Sequence, residues 1–421
     1  MSAIPREKTM DGALGLLRDG NLYITRRCEH YQTDIFATRL LFKKTFCIMG
    51  EEAAWVFYCK GRLTRRGAMP PTVLHLLQDE GSVATLDDKA HHWRKRMMMS
   101  LMTPENIQRL VDLVEERWRR TLYVWQAMGE VDLFDEIQRI LCWAVCEWCG
   151  VGVTDGELNA RTREISAMID GAGAIGPRQW RGALLRRRSE KWIAQKIQEA
   201  RKKKAPSNRA DPLHVIATHR DAKGMLLTPE VAAVEVLNML RPTVAVGRFV
   251  LFAAIAMHQY PECRQKLASG GDEYLEYFVQ EVRRFYPFFP FIGGVVREAF
   301  YWRNCRFPVG TRVMLDVYGT NHDSRIWQAP YQFLPERFRD WQDNAFSFIP
   351  QGGGGYYVNH RCAGEQLTIA LMKRCVQLLT NTMDYDVIAQ DTDIDMRRMP
   401  ALPKKPFLLR NVRLPLPLPA T

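Results

Sequence analysis

The stretch Phe348–Glu365, FIPQGGGGYYVNHRCAGE, holds four consecutive glycines and a cysteine that stands just before a predicted helix. A thiolate at a helix N-terminus gains from the positive end of the helix dipole, and the flanking His360 and Arg361 add cationic groups. We therefore expect Cys362 to have a lowered pKa and to act as a nucleophile or a metal ligand. Four glycines lose much backbone entropy on ordering, which predicts that the backbone here closely approaches a bound group.

The sequence around this loop is mainly helical. Residues Glu105–Met128 follow Thr103-Pro104, a capping residue and a proline at the first helical position, and their apolar residues recur every three or four positions. Further helices are predicted at Leu133–Cys149, Leu158–Asp170, Gln179–Lys203, Pro229–His258, Pro261–Leu267, Asp272–Phe285 and Glu365–Asn381. Short strands are predicted at Asp34–Leu40, Thr45–Met49, Ala54–Tyr58, Gly294–Val296, Phe307 to Val309, Arg312–Leu315 and Phe407–Val412. The fold class is mainly α with small β-sheets, in one domain over 1–421, with a β-rich portion at about 20–60 and a helical core at about 70–385.

Composition limits the class of protein and its partners. The 421 residues are 47% hydrophobic, and 59 Lys+Arg against 47 Asp+Glu give a net charge of +12. A chain of this composition buries a large core, which excludes a disordered or collagen-like protein. The charged N-terminal region lacks a secretory signal or membrane anchor, so a cytoplasmic protein is expected.

The densest basic run is Arg178–Lys204, where apolar and basic residues alternate at helical spacing. A solvated helix face explains such a run, and no nucleic-acid-binding motif accompanies it, so no nucleic-acid partner is expected. The polar, proline-containing stretch 202–211 predicts a loop between helices.

Three cysteines, Cys142, Cys146 and Cys149, have the spacing CxxxCxWC. Two interpretations are open. Radical-generating enzymes hold a four-iron cluster with this spacing. The same cysteines also fall at i, i+4 and i+7 of an apolar helical stripe, and cysteine packs as a small hydrophobe. We favour the core stripe because no alternation of strands and helices follows.

The segment Phe348–Glu365 resembles the cysteine-ligand loop of the cytochrome P450 family, F-x-x-G-x-[H/R]-x-C-x-G. The residues that match are Phe348, Gly352, Arg361, Cys362 and Gly364. The Phe-to-Cys spacing is fourteen instead of seven, so the loop is longer than the common form.

Further family landmarks occur in the family's order. Glu281-Val-Arg-Arg284 matches the E-x-x-R pair, Pro335–Phe338 matches the P-E-R-F segment, and HHWRKR at 91–96 resembles the helix that contacts the haem propionates. The resemblance implies a cytochrome P450 fold with haem b between the long central helix and the cysteine loop. It implies Cys362 as the axial iron ligand. The implied cofactor-binding residues are His91, Arg94, Lys95, Gly353, Arg361, Cys362 and Gly364, and the implied structural residues are Glu281, Arg284 and Arg337.

The central helix departs from the oxygen-activating members of that family. Those enzymes carry an acid beside an alcohol in this helix, whereas here it reads VEVLNMLRPTVAVG from Val234. Arg241 is followed by Pro242, which removes a helix hydrogen bond at a cost of about 3 kcal/mol. A buried guanidinium needs an anionic partner. An internal carboxylate is one possibility, and we favour an external anion.

Asn238-x-x-Arg241-Pro242, the long loop and the segment RFYPFFPFIGG are similar to the fatty-acid peroxygenases of this superfamily. The similarity implies that Arg241 and Asn238 bind the carboxylate of a long-chain fatty acid, and that Phe288, Phe289 and Phe291, above all Phe291, line the acyl channel. It implies hydroxylation at the alpha or beta carbon with hydrogen peroxide, with decarboxylation to terminal alkenes as a further route. No obligatory redox partner is then expected. The alternative is a redox-partner-dependent P450 monooxygenase.

Ala84 bears on the choice of product. The similarity implies three catalytic positions, which are Ala84, Arg241 and Pro242. At this position, relatives that decarboxylate well tend to carry His and beta-hydroxylating relatives tend to carry Gln. Because Ala84 donates no proton and no hydrogen bond, the sequence predicts mainly hydroxylation.

Overall fold

A computed structural model describes residues 4–79, 81–203, 211–269 and 271–414. In chain order its helices are α1 Ala13–Asp19, α2 Tyr23–Tyr31, α3 Glu51–Tyr58, α4 Pro71–Leu77, α5 Asp88–Ser100, α6 Pro104–Gln126, α7 Leu133–Cys149, α8 Asp155–Gly171, α9 Pro177–Lys202, α10 Pro212–Thr218, α11 Pro229–Ala245, α12 Gly247–Gln259, α13 Pro261–Ser269, α14 Asp272–Phe285, α15 Val317–Asn321 and α16 Glu365–Asn381. Its strands are β1 Ile35–Leu40, β2 Lys43–Ile48, β3 Leu63–Thr64, β4 Glu130–Asp132, β5 Phe291–Val296, β6 Phe300–Trp302, β7 Cys305–Phe307, β8 Arg312–Asp316, β9 Asp384–Val387 and β10 Leu408–Arg413. The predicted class, mainly α with small sheets, is confirmed.

The strands form three small sheets at the edges of the helical core. The largest has the order β1-β2-β8-β5-β3, in which β2 and β8 are parallel and the other pairs are antiparallel. A second sheet has the order β4-β10-β9, and β6 pairs with β7. Because β8 and β5 are both interior strands of the first sheet, the sheet fixes the segment that follows α14.

Helix α7 shows how local signals set the helical core. The side chain of Asp132 accepts hydrogen bonds from the first-turn N–H groups, and Gly150 ends the helix with a φ of 79°. Cys142, Cys146 and Cys149 are all 0% exposed within the main hydrophobic core. The core-stripe interpretation is therefore confirmed, and the described residues include no cluster of metal-ligating side chains.

The central helix is interrupted once. Thr228 caps α11, Pro229 is its first residue, and the helical run resumes as α12 after Val246. The break at Val246 lies one turn after Pro242. The run 229–259 is apolar and long enough to cross a membrane, but 94% of its most apolar window is buried inside the molecule. It is the core helix of the fold.

The N-terminal portion differs from the prediction. Ala54–Tyr58, predicted as a strand from its aromatic and β-branched residues, belongs to helix α3. Gly50 with a φ of 100° lets the chain turn, and two glutamates in the first turn favour the helix start. With α2 also in this region, the portion 20–60 is mixed and not β-rich. Most of the predicted loop at 202–211, namely 204–210, lies outside the described residues.

Candidate active site

Cys362 lies immediately before α16, at the end of the glycine-rich loop. Its N–H donates to the carbonyl oxygen of Gln351 at 3.0 Å, and the side-chain amide of Gln351 lies 3.6 Å from its sulfur. Gly352 and Gly354 have φ values of 92° and 80°, which only glycine adopts without strain. Burial raises the pKa of the Cys362 thiol, with Lys95 and the N–H of Gly364 acting in the opposite direction. The predicted lowering of this pKa is therefore wrong for the protein alone, because burial outweighs the nearby positive charge.

Arg361, predicted to bind the cofactor, has partners within the protein. Its guanidinium donates to Glu365 at 2.7 Å and stacks on the ring of Tyr356 at 4.3 Å. Glu365 also binds Arg283, which in turn donates to the side chain of Gln351 at 3.0 Å. Because its donors are engaged within the protein, Arg361 braces the loop that carries Cys362.

The two glycines predicted to contact the cofactor differ. A Cβ at Gly353 would lie 2.6 Å from the carbonyl oxygen of Ala345 and 3.1 Å from the ring of Tyr58, so its close approach is to protein. A Cβ at Gly364 would meet nothing within 4 Å. Gly364 therefore lies beside an open space near Cys362, whereas Gly353 must lack a side chain because protein atoms surround it, and its contact with the cofactor stays a prediction.

Four basic side chains from three segments meet on one side of this space. We call Arg65, His91, Lys95 and His360 the basic cluster. The rings of His91 and His360 are 4.0 Å apart, and Lys95 binds the carbonyl of Arg361. Burial lowers the pKa of His91 to about 4 and that of Lys95 to about 8, and His360 is held well below its usual range.

Within the described part of the chain, no member of the basic cluster has an ion pair with a carboxylate, and Nε2 of buried His91 has no hydrogen-bond partner. Arg65 and Lys95 each donate to a backbone carbonyl, of Gly293 and Arg361, so their charges are not neutralised by an acid. The two propionates of a haem would supply two negative charges and an acceptor for Nε2 of His91. The residues present therefore fit haem.

Arg94, predicted with this group, has a different partner. Its guanidinium donates to Glu235 of α11 at 2.5 Å, and both side chains are buried. Glu235 also accepts from the N–H of Val83 at 2.8 Å and from Asn238 at 3.1 Å. Arg94 therefore joins α5 to the central helix, while its buried Nε has no hydrogen-bond partner among the described residues. Its predicted contact with the cofactor stays a prediction.

Arg241 is buried on the central helix with an incomplete set of partners. Nη2 donates to Oδ1 of Asn238 at 3.1 Å, and Nη1 has no partner. Burial, together with the charge of Arg186, lowers the pKa of Arg241 to about 9. No carboxylate among the described residues pairs with it, so the external anion remains the better interpretation.

An open face runs beside Arg241. Of residues 232–257, all are buried except Asn238, which is half-buried, and Pro242, which is exposed. These two are one turn apart, so they share a face of α11. This face, with exposed Pro242 and half-buried Asn238, is therefore the accessible side of the helix next to Arg241. Ala84 is held near it, because the N–H of Val83 is bound to Glu235 one turn before Asn238.

The three phenylalanines predicted to line the acyl channel pack in different parts of the molecule. The ring of Phe288 lies 5.0 Å from Phe249 of α12 and 4.6 Å from Phe289. Phe291, the first residue of β5, packs instead on the N-terminal cluster around Tyr23 and Met314. Phe291 is therefore separated from Phe288 and Phe289, because alternate side chains of β5 face opposite sides of the sheet, and its place in the acyl channel stays a prediction.

The predicted structural charges form one buried group. Glu281 and Arg284, both 0% exposed, make two hydrogen bonds at 2.7 and 2.8 Å. Arg337 donates to Glu281 at 3.2 Å, and Arg284 also binds the carbonyls of Asn321 and Pro330. The group ties α14 to the chain that leads into the cysteine loop.

Comparisons with known proteins match this architecture. The Cytochrome P450 family model matches residues 272–410. The solved structure of a variant of cytochrome P450SP alpha (CYP152B1) is 43% identical, with a TM-score of 0.94 over 96% of this chain and 99% of that one. The chain belongs to the cytochrome P450 family. Its cofactor is therefore haem b with a cysteine thiolate ligand, and Cys362 is the cysteine in the family's position.

Other relatives agree. Cytochrome P450EX alpha (CYP152N1) with myristic acid is 41% identical, with a TM-score of 0.94 over 99% of this P450 and all of that chain. A variant of cytochrome P450 OleT in complex with arachidonic acid is 33% identical, with the same TM-score and coverage. Curated relatives are more distant. Cytochrome P450 71D18 of Mentha gracilis is 24% identical over 75% of this chain and 72% of its own, and the match to cytochrome P450 4e5 of Drosophila mettleri spans 29% of that protein.

Sequence reasoning missed Arg65, Glu235 and Gln351 altogether. It named His360 as a neighbour of Cys362 but missed its place in the basic cluster. Glu235 could have been found, because a lone acid in an apolar helix needs a partner. The other three carry no such signal, since their neighbours come from distant parts of the chain.

Proposed function

We propose that this P450 is a peroxygenase that hydroxylates long-chain fatty acids next to their carboxyl group, with hydrogen peroxide as the oxidant. The observation that carries the proposal is Arg241, a buried guanidinium whose Nη1 has no partner beside an open face of the central helix. A carboxylate is the anion that matches two parallel guanidinium donors. The complexes of P450EX alpha with myristic acid and of OleT with arachidonic acid support long-chain acids as the substrate class.

The residues of α11 hold the substrate by its charged end. Asn238 accepts from Nη2 of Arg241 and donates to Glu235, so this chain of hydrogen bonds orients the guanidinium. A carboxylate bound to the free side of Arg241 places the alpha and beta carbons closest to the reacting centre. Positioning of this kind fixes which carbons react.

The protein itself offers no free acid–base group on this helix within the described residues. The hydroxyl of Thr243 donates to the carbonyl of Met239 at 2.8 Å, and Glu235 is held by Arg94, Val83 and Asn238. The substrate carboxylate at Arg241 is then the group that moves a proton between the two oxygens of the peroxide. When bound, haem supplies the oxidative chemistry, and the thiolate of Cys362 favours O–O cleavage.

The remaining assignments follow from the same geometry. We infer that the basic cluster (Arg65, His91, Lys95 and His360) receives the propionates, and that Phe288 and Phe289 line the acyl channel. Ala84, a methyl group near the open face, offers no hydrogen bond to the reacting oxygen. Hydroxylation is therefore the expected main reaction, with decarboxylation to terminal alkenes as the minor one.

The test is an absorption spectrum of the holoenzyme with and without myristic acid, followed by addition of hydrogen peroxide without a reductase. We expect a shift of the Soret band on adding the acid and hydroxylated acid as the main product by gas chromatography. Turnover that occurs only with an electron-transfer partner would support a redox-partner-dependent monooxygenase and contradict the proposal. Mostly alkene would overturn the product assignment alone.

A further inference from the structure

The outer side of α9 is a surface that the proposed reaction does not use. We define the α9 outer face as Trp180, Arg181, Leu184, Arg187, Arg188 and Lys191, all exposed. Their spacing of one, three and four residues places them on one side of the helix. Trp180 is 68% exposed and Leu184 is 54% exposed, and Ile175 in the preceding loop is 76% exposed. Trp180 and Leu184 are one turn apart and therefore lie together beside the cations of this face.

The charge of this face is uncompensated. Residues 171–203 contain two acids, and both are paired within the helix: Glu190 binds Arg186 at 2.6 Å and Glu199 lies 3.5 Å from Lys196. None of the four cations of the α9 outer face has an ion pair within the described residues. Exposed arginines elsewhere often do, such as Arg303 with Glu52 at 2.6 Å. The face is thus a patch of net positive charge with an apolar end.

The opposite side of the same helix borders the substrate site. Helix α9 packs against α11, the helix that carries Arg241, and Arg186 on this inner side of α9 is 0% exposed. A lipid at the outer surface is therefore separated from the carboxylate site by roughly the width of one helix, about 10 Å. The loop 172–176, with exposed Ile175, joins the two sides at the end of α8.

We propose that the α9 outer face binds the surface of an anionic lipid bilayer. Exposed Trp and Leu beside Arg and Lys on one helix face are the features of helices that lie in the membrane interface. Charge alone would also suit nucleic acid, but Trp180, Leu184 and Ile175 would then gain no apolar environment. On this basis fatty acids reach Arg241 from the bilayer. The surface binding itself does not depend on the proposed reaction.

The first experiment measures co-sedimentation of the holoenzyme with vesicles of phosphatidylcholine alone or mixed equally with phosphatidylglycerol. We expect binding to the mixed vesicles, loss of binding at high salt, and little binding to phosphatidylcholine. In the double variant Arg187→Glu/Arg188→Glu, binding should fall by at least about 25-fold, since each cation near an anionic surface contributes about fivefold. The matched control is Arg306→Glu/Arg339→Glu, two exposed arginines outside this face, which should keep wild-type binding.

The second experiment tests the apolar end. Trp180→Ala should weaken vesicle binding several-fold, whereas Tyr301→Ala, whose side chain is exposed to the same 68%, should not. The haem spectrum of each variant shows whether it is folded. Turnover of detergent-dispersed myristic acid should be unchanged in the α9 variants, so failure of the proposed reaction and failure of membrane binding are separate results.

Three outcomes would overturn the inference: equal binding to both vesicle types, equal loss in the control double variant, or binding to a DNA duplex in place of the mixed vesicles.

Discussion

Buried charge is arranged differently on the two sides of the haem site. On the cysteine side, Glu281 is shared by Arg284 and Arg337, and Glu365 is shared by Arg283 and Arg361. On the side of the central helix, Arg241 has one neutral partner and one donor without any. We call a group closed when each of its buried charges has an oppositely charged partner in the protein, and such groups stabilise the fold that holds the haem. We call Arg241 an open charge because it has no such partner and is available to a ligand. Substitutions on the two sides should therefore affect different properties.

The largest expected effect is on folding, at Glu281. In Glu281→Ala, Arg284 and Arg337 remain buried without a counter-charge, which should lower the free energy of unfolding by about 3–5 kcal/mol. The matched control on the same helix is Glu276→Ala, whose partner Lys373 is partly exposed, with an expected loss of under about 1 kcal/mol. Denaturant unfolding of both variants measures the difference. Equal losses would contradict the claim that the buried group around Glu281 stabilises the fold.

The next effect is on catalysis, at Arg241. Arg241→Ala removes the donors for the substrate carboxylate and should lower peroxide-driven turnover of myristic acid by roughly 30- to 4,000-fold, the range for losing one member of a buried charge pair. Stability should not fall, because no carboxylate of the described chain loses a partner. Turnover and thermal unfolding are measured on the same haem-loaded samples. Retained turnover, or a large loss of stability, would show that Arg241 is a structural charge.

A smaller effect is expected at the sulfur of the axial ligand. Gln351→Leu removes the side-chain amide 3.6 Å from Cys362. Without this hydrogen-bond donor the thiolate is more electron-rich. The iron reduction potential should therefore fall by about 20–60 mV, the shift that corresponds to the free energy of one hydrogen bond. Thr368→Val is the control, since it removes another partner of Gln351 without touching the sulfur. A spectroelectrochemical titration that finds equal potentials in wild type and Gln351→Leu would exclude this hydrogen bond.

The smallest effect is on product choice, at Ala84. Ala84→His introduces a side chain that can donate a hydrogen bond near the open face, and the alkene share should rise by about fivefold at most, as one hydrogen bond allows. Ala84→Leu is the control for bulk without a donor. Gas chromatography of the products gives the ratio. An unchanged ratio in Ala84→His would place position 84 away from the reacting carbons.

Predictions from the sequence succeeded where the determining interactions are local. The bounds of α7, α14 and α16 follow from caps and apolar periodicity and agree with the structure. The resemblance correctly indicated the family, and Arg241 stood out because an arginine and a proline in an apolar helix break local rules. The role of the glycines in the loop before Cys362 was harder to predict. They were expected to approach a bound group, but they also serve tight backbone turns and contacts with Tyr58.

Interactions between distant segments could not be predicted. Arg94 stands in a basic run that resembles a propionate-binding helix, yet its partner Glu235 is 141 residues away. Phe291 was favoured for its place in an aromatic segment, but the sheet register decides which side it faces. The pKa of Cys362 was misjudged because flanking charges are visible in a sequence and burial is not.

The most direct test of the central claim compares peroxide-driven turnover of myristic acid with that of its methyl ester, at equal concentrations and without a reductase. The two molecules share the same acyl chain and differ in the charge that Arg241 is proposed to bind. We predict hydroxylated product from the acid and at least about 30-fold less from the ester. Equal turnover of acid and ester would contradict the claim that the open charge of the central helix is the substrate site.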